Sequence, residues 1–313
     1  MTIASTYEVA LAVVVIGLAA WIITARETFA AAEGFVAYGL LLALVWVRLG
    51  GVDVALAEAA IGGGLSGVLL LGAAARLRST EGVAAAERPG RILRVQAALL
   101  SAIVAAALAV VVLFLPDPAP TLAPAATANA VATGLANPVT NVLMAFRAMD
   151  TLLEKVVLLL ALVGVWSLAP DRLWGGRPGL RHQADPRGVL AFLARLLPPL
   201  GIVIGIYVLW VGADQPGGAF QGGTILAAMW LLVAMAGLAD APPISRQWLR
   251  LMLIVGPGVF LLIGFGGIWL DSAFLAYPEG YAKPLIVAIE IAMTLTIAAT
   301  LALLLAGAPE RSA

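Results

Sequence analysis

Residues 284–301 read PLIVAIEIAMTLTIAATL, in which Glu290 is the one ionisable side chain and no glycine or proline follows Pro284. A bilayer core of about 30 Å is crossed by roughly 20 apolar residues in an α-helix, so this string reads as most of a membrane span. The remainder of the chain agrees. Of 313 residues 62% are hydrophobic and 12% charged, with a mean hydropathy of +1.04. A soluble domain is closer to half apolar and a quarter charged, so that class is excluded. Lys+Arg and Asp+Glu each number 18, which leaves no basic field to hold a nucleic acid. There is no cysteine and one histidine, His182. Disulfides, iron–sulfur clusters, haem thiolates, Cys/His zinc sites and cysteine nucleophiles are thereby removed together.

Working outward from Glu290, nine apolar windows emerge, at 7–24, 29–48, 55–75, 95–115, 150–168, 190–211, 219–238, 249–269 and 284–306. The first lacks the Lys/Arg start of a signal peptide and reads as a retained helix. Basic residues fix the orientation, because cytoplasmic loops carry the Lys/Arg excess. Arg76, Arg78, Arg88, Arg91 and Arg94 follow the third window; Arg172, Arg177, Arg181, Arg187 and Arg195 follow the fifth; Arg246 and Arg250 follow the seventh. The connections at 116–137 and 212–217 have no Lys or Arg, and 270–283 has only Lys283. Alternation then predicts an all-α integral membrane protein of about nine transmembrane helices, N-terminus outside and C-terminus inside. Arg48 is the one exception, outside. His182 lies in an arginine-rich loop and reads as solvated.

Two arginine-rich stretches, around 76–94 and 169–189, divide the chain into groups of three, two and four spans. The outer connection holds Pro116, Pro118, Pro120 and Pro124 among alanines, a stiff segment with no visible chemistry. No internal repeat is visible.

Ionisable groups within spans cost a few kcal/mol each on insertion scales, so each is a functional candidate. In NPVTNVLMAFRAMDTLLEKVVLLL (137–160), Arg147, Asp150 and Glu154 fall at i, i+3 and i+7, one helix stripe, with Lys155 about a quarter turn away. Such a stripe suits a relay for protons or a monovalent cation, the arginine holding one carboxylate ionised while another titrates. It equally suits an ion-pair network that fixes helix packing. In VDVALAEAAIGGGLS (52–66), Asp53 reads as the N-cap of the third span, whereas Glu58 has no basic residue at i±3 or i±4 and needs a partner from elsewhere. Gly62, Gly63, Gly64 and Gly67 offer a small-residue face to a neighbouring helix. Glu33 lies near the start of the second span. Glu290, with Thr294 one turn on, lies deeper, as a transport carboxylate or an interhelical hydrogen bond.

The most distinctive string is WVGADQPGGAFQGGTILAAMW (210–230). Asp214 and Pro216 precede Gly217, Gly218, Gly222 and Gly223, which surround Phe220 and Gln221. The glycines permit a tight turn and close helix contact, and Gln221 offers both donor and acceptor. With no Lys-Ser/Thr and no preceding strand, this is not a phosphate loop.

Together these strings resemble the membrane subunits of the Mrp (Mnh) multisubunit cation/proton antiporter family and its relatives in membrane-bound hydrogenases. PGGAFQGG is similar to the PGGGFxGG signature of the B-type (MnhB-like) component. VDVALAEAAIGGGLS resembles PDVALTEAxxGxGLS of the hydrogenase-type D module, and NVLMAFRAMDTLLEKVVLL resembles NVILVDFRGFDTLGEITVL of the adjoining E module. In many such systems those two modules form the C-terminal part of the large A-type component. The resemblance implies a D-like module at 1–88 with three helices, an E-like module at 89–183 with two, and an MnhB-like domain at 184–313 with four. Two departures stand out: Ala213 where the family commonly has histidine, and Lys155 in place of an apolar residue.

What the resemblance implies is a non-enzymatic, accessory membrane component of a larger complex. Its ion-path candidates are Glu58, Asp150, Glu154 and Glu290, with Asp53, Arg147 and Lys155 as supporting charges and Asp214, Gly217, Gly218, Gln221, Gly222 and Gly223 as motif or packing positions. No metal or cofactor is expected beyond Na⁺ or H⁺ as the transported ion. The expected partners are the antiporter-like A and D and the small C, E, F and G subunits, within a bacterial or archaeal cytoplasmic membrane. The alternative is a scaffold in a related hydrogenase-like or other ion-translocating complex.

Overall fold

The structure is a computed structural model describing residues 3–77, 90–116, 118, 120–179 and 184–312. Arg78, Arg88, Arg181, His182 and the expected module boundaries at 88, 89 and 183 lie outside the described residues. We number the helices α1 (Ile3–Thr24), α2 (Thr28–Arg48), α3 (Val52–Leu77), α4 (Arg91–Leu113), α5 (Ala123–Ala130), α6 (Ala148–Trp166), α7 (Val189–Val211), α8 (Ala219–Met235), α9 (Gln247–Asp271) and α10 (Ala282–Ala306). Every apolar window is occupied by a helix. By length and composition, seven of these are able to cross a membrane. The other two, α6 and α8, differ for identifiable reasons. Helix α6 has 19 residues but carries Asp150, Glu154 and Lys155, and α8 has 17 residues. The protein is a helical, multi-pass membrane protein. One small ladder departs from the all-α expectation: β1 (Arg177–Pro178) pairs antiparallel with β2 (Pro309–Arg311).

Lipid tails are as apolar as leucine, so helix association in a membrane rests on close packing and hydrogen bonds. Helix α10 is the centre of that packing. It lies against α8 and α9, α7 lies against α8, and α6 closes against α9 and α10. Phe260, Ile286, Ile289, Met293 and Ile297 form a core with Met144, Ala148 and Leu152. A second cluster joins Leu162 and Trp166 to Leu249, Leu253, Ala299 and Leu303. Pro257 lies inside α9 and offers no N–H to its ladder, and the Thr296 hydroxyl of α10 enters the ladder beside it. It accepts from the Gly256 N–H at 2.9 Å and donates to the Met252 carbonyl at 2.8 Å. A side chain from one span thus satisfies backbone groups of another, where lipid offers no substitute.

At the N-terminal end, α2 packs on α1 and α3. The approach of α2 to α3 is backbone-close: a Cβ at Gly39 would lie 2.6 Å from the Gly63 nitrogen. The glycine run in α3 therefore serves its neighbour α2, and Glu58–Leu65 is wound as a π-helix. Arg48, the charge out of place in the sequence, pairs with Glu8 at 2.9 Å and lies over the Tyr7 ring. Those residues share an end of the molecule with the 212–217 and 272–281 connections, which Lys283 and Asp214 tie together. At the opposite end, Asp240 holds Arg311 and Arg177 beside the small ladder.

Candidate functional site

The segment Pro138–Trp166 is not one continuous helix. Asn137 caps its first turn, accepting from the Val139 N–H at 2.8 Å. Val142–Phe146 then widens into a π-helical turn. At Arg147 the backbone leaves helical geometry, with φ −131° and ψ 35°, before α6 begins. Carbonyls freed by the break find partners: Thr151 Oγ1 donates to Leu143 O at 2.6 Å and the Tyr277 hydroxyl to Met144 O at 2.8 Å. Burial pushes the Tyr277 hydroxyl up to about 12, so it remains a donor at any physiological pH. Irregular backbone at membrane depth is tolerated where it is buried in protein or lines a cavity.

A cavity of about 350 Å³ lies beside this break. Its walls come from three parts of the chain: Asp53, Val54, Ala57 and Ile61 of α3; Leu143, Met144, Thr151, Glu154 and Lys155 around the break; and Gly217, Gly218, Phe220, Gln221, Glu290 and Met293 of the C-terminal helices. Two ionisable groups in it are buried, Lys155 at 3% and Glu290 at 5% relative exposure. Lys155 Nζ donates to Glu154 Oε1 at 2.8 Å and stands 4.8 Å from the centroid of the Phe220 ring. A cation held between a carboxylate and an aromatic face recovers part of its lost hydration. Glu290 receives the Ala219 N–H, and a Cβ on Gly218 would lie 3.1 Å from Glu290 Oε1.

The Asp53 carboxylate meets this site differently from the sequence expectation. Gly51, not Asp53, occupies the N-cap of α3, and its carbonyl takes the Ala55 N–H at 2.9 Å. Asp53 lies within the first turn, which frees its carboxylate to reach other elements. Its Oδ1 accepts from the Gly217 N–H at 2.9 Å and from Asn137 Nδ2 at 3.4 Å. Asn137 also donates to Gln215 O at 2.8 Å, and Gln221 Nε2 donates to the Asp53 carbonyl at 3.4 Å. Two distant segments thus converge on the first turn of α3.

The signature glycines divide by task. Gly217 and Gly218 have φ of 150° and 126°, a region that side-chain-bearing residues rarely adopt. Gly222 and Gly223 let α8 approach its neighbours: a Cβ would come 2.7 Å from Gly205 O at the first and 2.7 Å from Ile297 Cγ2 at the second. Asp214 lies outside the cavity and accepts from Lys283 at 2.7 and 2.8 Å. The hydrogen bond from that ammonium holds the Asp214 carboxyl below its usual range.

The other candidates lie elsewhere. Arg147 and Asp150 pair with each other on an exposed face of α6. Glu58 is half-buried, its carboxylate folded over Gly62, and does not line the cavity. The buried stripe of α6 runs through Thr151, Lys155, Leu162 and Trp166, so the inward charge is Lys155. Sequence reading missed Asn137, Phe220 and Tyr277. An Asn-Pro pair is a helix-start signal that would have found Asn137; Tyr277 left no local signal. Among the described residues no three His, Asp or Glu side chains cluster as metal ligands.

The fold and this buried polar site define a helical membrane protein. Residues 189–308 match the family described as a domain related to the MnhB subunit of Na⁺/H⁺ antiporter, and residues 13–79 match MbhD, the family of the D component of MBH. The chain thus carries one segment similar to the D component of MBH and one similar to the MnhB subunit. Its fold is shared with a chain of the Mrp complex from Dietzia sp., with a TM-score of 0.73 and 24% identity, covering 97% of this chain and 35% of that one. A chain of the archaeal membrane-bound sulfane sulfur reductase, a respiratory membrane complex, superposes with a TM-score of 0.56 and 22% identity over 68% of this chain and 98% of that one. The uncharacterized protein MJ1307 of Methanocaldococcus jannaschii is 27% identical over 154 residues, 44% of this chain and 59% of its own length. The chain thus spans about 59% of that curated relative.

Proposed function

We propose that this chain is an accessory membrane subunit of an Mrp-type monovalent cation/proton antiporter, and that the cavity bounded by Asp53, Glu154, Lys155 and Glu290 is part of its ion path. One observation carries the reading: a broken helix, two buried ionisable groups and the signature turn all border one cavity of about 350 Å³. Ionisable residues at membrane depth face a protein interior or a wet path, and broken helices at that depth line cavities. Glu154 and Glu290 are the carboxylates we assign to the path. Asp150 and Glu58, away from the cavity, belong to helix packing or to surfaces covered by other subunits.

The same reading takes the chain as nine spans, N-terminus outside and C-terminus inside, with α6 and α8 completed as spans by their neighbours. It keeps the division into D-like 1–88, E-like 89–183 and B-like 184–313 portions, antiporter-like and small subunits as partners, and a bacterial or archaeal cytoplasmic membrane as location. The chain performs no bond chemistry and holds no cofactor; Na⁺ or H⁺ is cargo. Both ends of the molecule support the orientation, since Arg177 and Arg311 sit at one end and the Lys/Arg-poor 212–217 turn at the other.

The test is ΔpH-driven Na⁺/H⁺ exchange in everted vesicles carrying the whole complex, with assembly equalised by native gel. Glu290→Gln and Glu154→Gln are each expected to lower exchange about a hundredfold or more, the usual loss for a required proton-transfer group. Unchanged exchange in both would leave the scaffold reading, which the Arg147–Asp150 pair and the hydrogen bonds at Asp53 would then explain.

A further inference from the structure

The cavity already contains a basic side chain. Lys155 is engaged from two sides: its ammonium touches Glu154 at 2.8 Å, faces Phe220 at 4.8 Å, and has 4% of its side chain exposed. Of the three carboxylates on the lining, Asp53 is engaged by Gly217 and Asn137 and Glu154 by Lys155. Glu290 has no basic partner among the described residues; a backbone N–H and a glycine border it. The polar inventory of the cavity is completed by Thr140, Thr151 and Gln221.

We propose that Lys155 is the resident cation of this cavity, that it excludes alkali-metal ions from it, and that the cavity consequently exchanges protons at Glu290 and not sodium. The proposal deepens the ion-path reading and rests on it. Sodium needs several oxygen ligands at once, and one of the lining carboxylates, Glu154, is already held by the Lys155 ammonium at 2.8 Å. Two unit charges about 4 Å apart in a medium of intermediate dielectric disfavour joint occupancy on the order of a thousandfold. A proton carries no such demand, because it arrives as a covalent O–H bond that removes the carboxylate charge. Phe220, 4.8 Å away, gives the tethered ammonium an aromatic face that replaces part of its hydration. Lys155 acts as a specificity-determining residue, with Glu290 as the group that gains and loses the proton.

Cation occupancy can be read without transport. In the purified whole complex, dicyclohexylcarbodiimide modifies protonated carboxyls, and labelling of Glu154 and Glu290 is measured by peptide mass spectrometry in sodium chloride and in choline chloride. Wild type is expected to label at Glu290 equally in both salts. In Lys155→Gln and Lys155→Met, sodium is expected to protect Glu154 or Glu290 several-fold, and in Lys155→Arg it is expected not to. Sodium protection in wild type overturns the proposal. So does its absence from both neutral variants, or an unlabelled Glu290 in wild type. The ion-path reading fails separately, through unchanged exchange in Glu290→Gln and Glu154→Gln vesicles.

Discussion

The Gly217 N–H donates to Asp53 Oδ1 at 2.9 Å, joining the first turn of α3 to the signature turn before α8 across 164 positions of sequence. Asn137 reaches the same oxygen, so this carboxylate is where the three parts of the chain meet. Removing it as Asp53→Ala strands the buried Gly217 amide and takes from the Asn137 carboxamide one of its two acceptors, at a cost of about 1–3 kcal/mol. Asp53→Asn keeps an acceptor oxygen and should recover part of the loss. Thermal melting of the purified complex checks the order, wild type above Asn above Ala; an Ala variant that melts with wild type would remove the joint from the account.

Gly218→Ala asks an L-residue to adopt φ 126° and sets a methyl beside Glu290 Oε1. Backbone strain of this kind costs about 1–3 kcal/mol. Gly266→Ala is the control, because a Cβ there meets nothing within 4 Å. The expected result is reduced stability and reduced exchange in the first variant and neither in the second.

Tyr277→Phe leaves the Met144 carbonyl without its donor at the edge of the cavity, a loss of about 1–3 kcal/mol. The pH dependence has a definite sign. With the hydroxyl pushed up from 10 to about 12 by burial, the stabilisation is complete below pH ~10, the unfolded value, and is lost as pH rises through the folded one. Melting against pH should therefore show an alkaline decline that is smaller in Tyr277→Phe, and no difference in slope near neutrality.

Asp214 and Lys283 act at the opposite limit. The carboxyl is held below its usual range by the Lys283 hydrogen bond, so its contribution is present above the unfolded value and disappears as pH falls through the lowered one. Both side chains are well exposed, so solvent screening limits the pair to about 1 kcal/mol or less. Hydrogen exchange at the 212–217 turn should rise modestly in Lys283→Met, and the difference should shrink in high salt.

Thr296→Val removes the hydroxyl that stands between Gly256 N–H and Met252 O, and with it two hydrogen bonds at membrane depth. Thr296→Ser retains them. Amide exchange near Gly256 should speed up in the first variant and stay at the wild-type rate in the second; equal rates in all three would show that the Pro257 region holds itself.

The spans were legible because bilayer thickness acts on composition alone: 190–211 became Val189–Val211 and 284–306 became Ala282–Ala306. The site was legible in part. Glu290 and Glu154 stood out as charges among apolar residues, and both border the cavity. Asp150 and Glu154 share a stripe by spacing, yet the buried stripe of α6 is the one with Lys155. Helical periodicity relates residues on one helix to each other and carries no information about which face a neighbour will cover. Asp53 was assigned a local role because N-caps are local; its actual partners lie 84 and 164 positions away. The π-turn at Val142–Phe146 has no sequence marker, since it is held by Thr151 and Tyr277 from outside it.

The seam at Asp53 consists of few hydrogen bonds, and α3 touches the C-terminal bundle chiefly through α8. Independent polypeptides meeting through so little would have to offset the loss of translational and rotational freedom, several kcal/mol at the least. A continuous chain raises the local concentration of each face around the other into the millimolar range when linkers are short and flexible. Tethering therefore relieves the seam of the need for affinity. It leaves those few polar contacts free to set register, holding the Glu290 and Lys155 walls of the cavity in fixed relation, instead of supplying the strength of an interface.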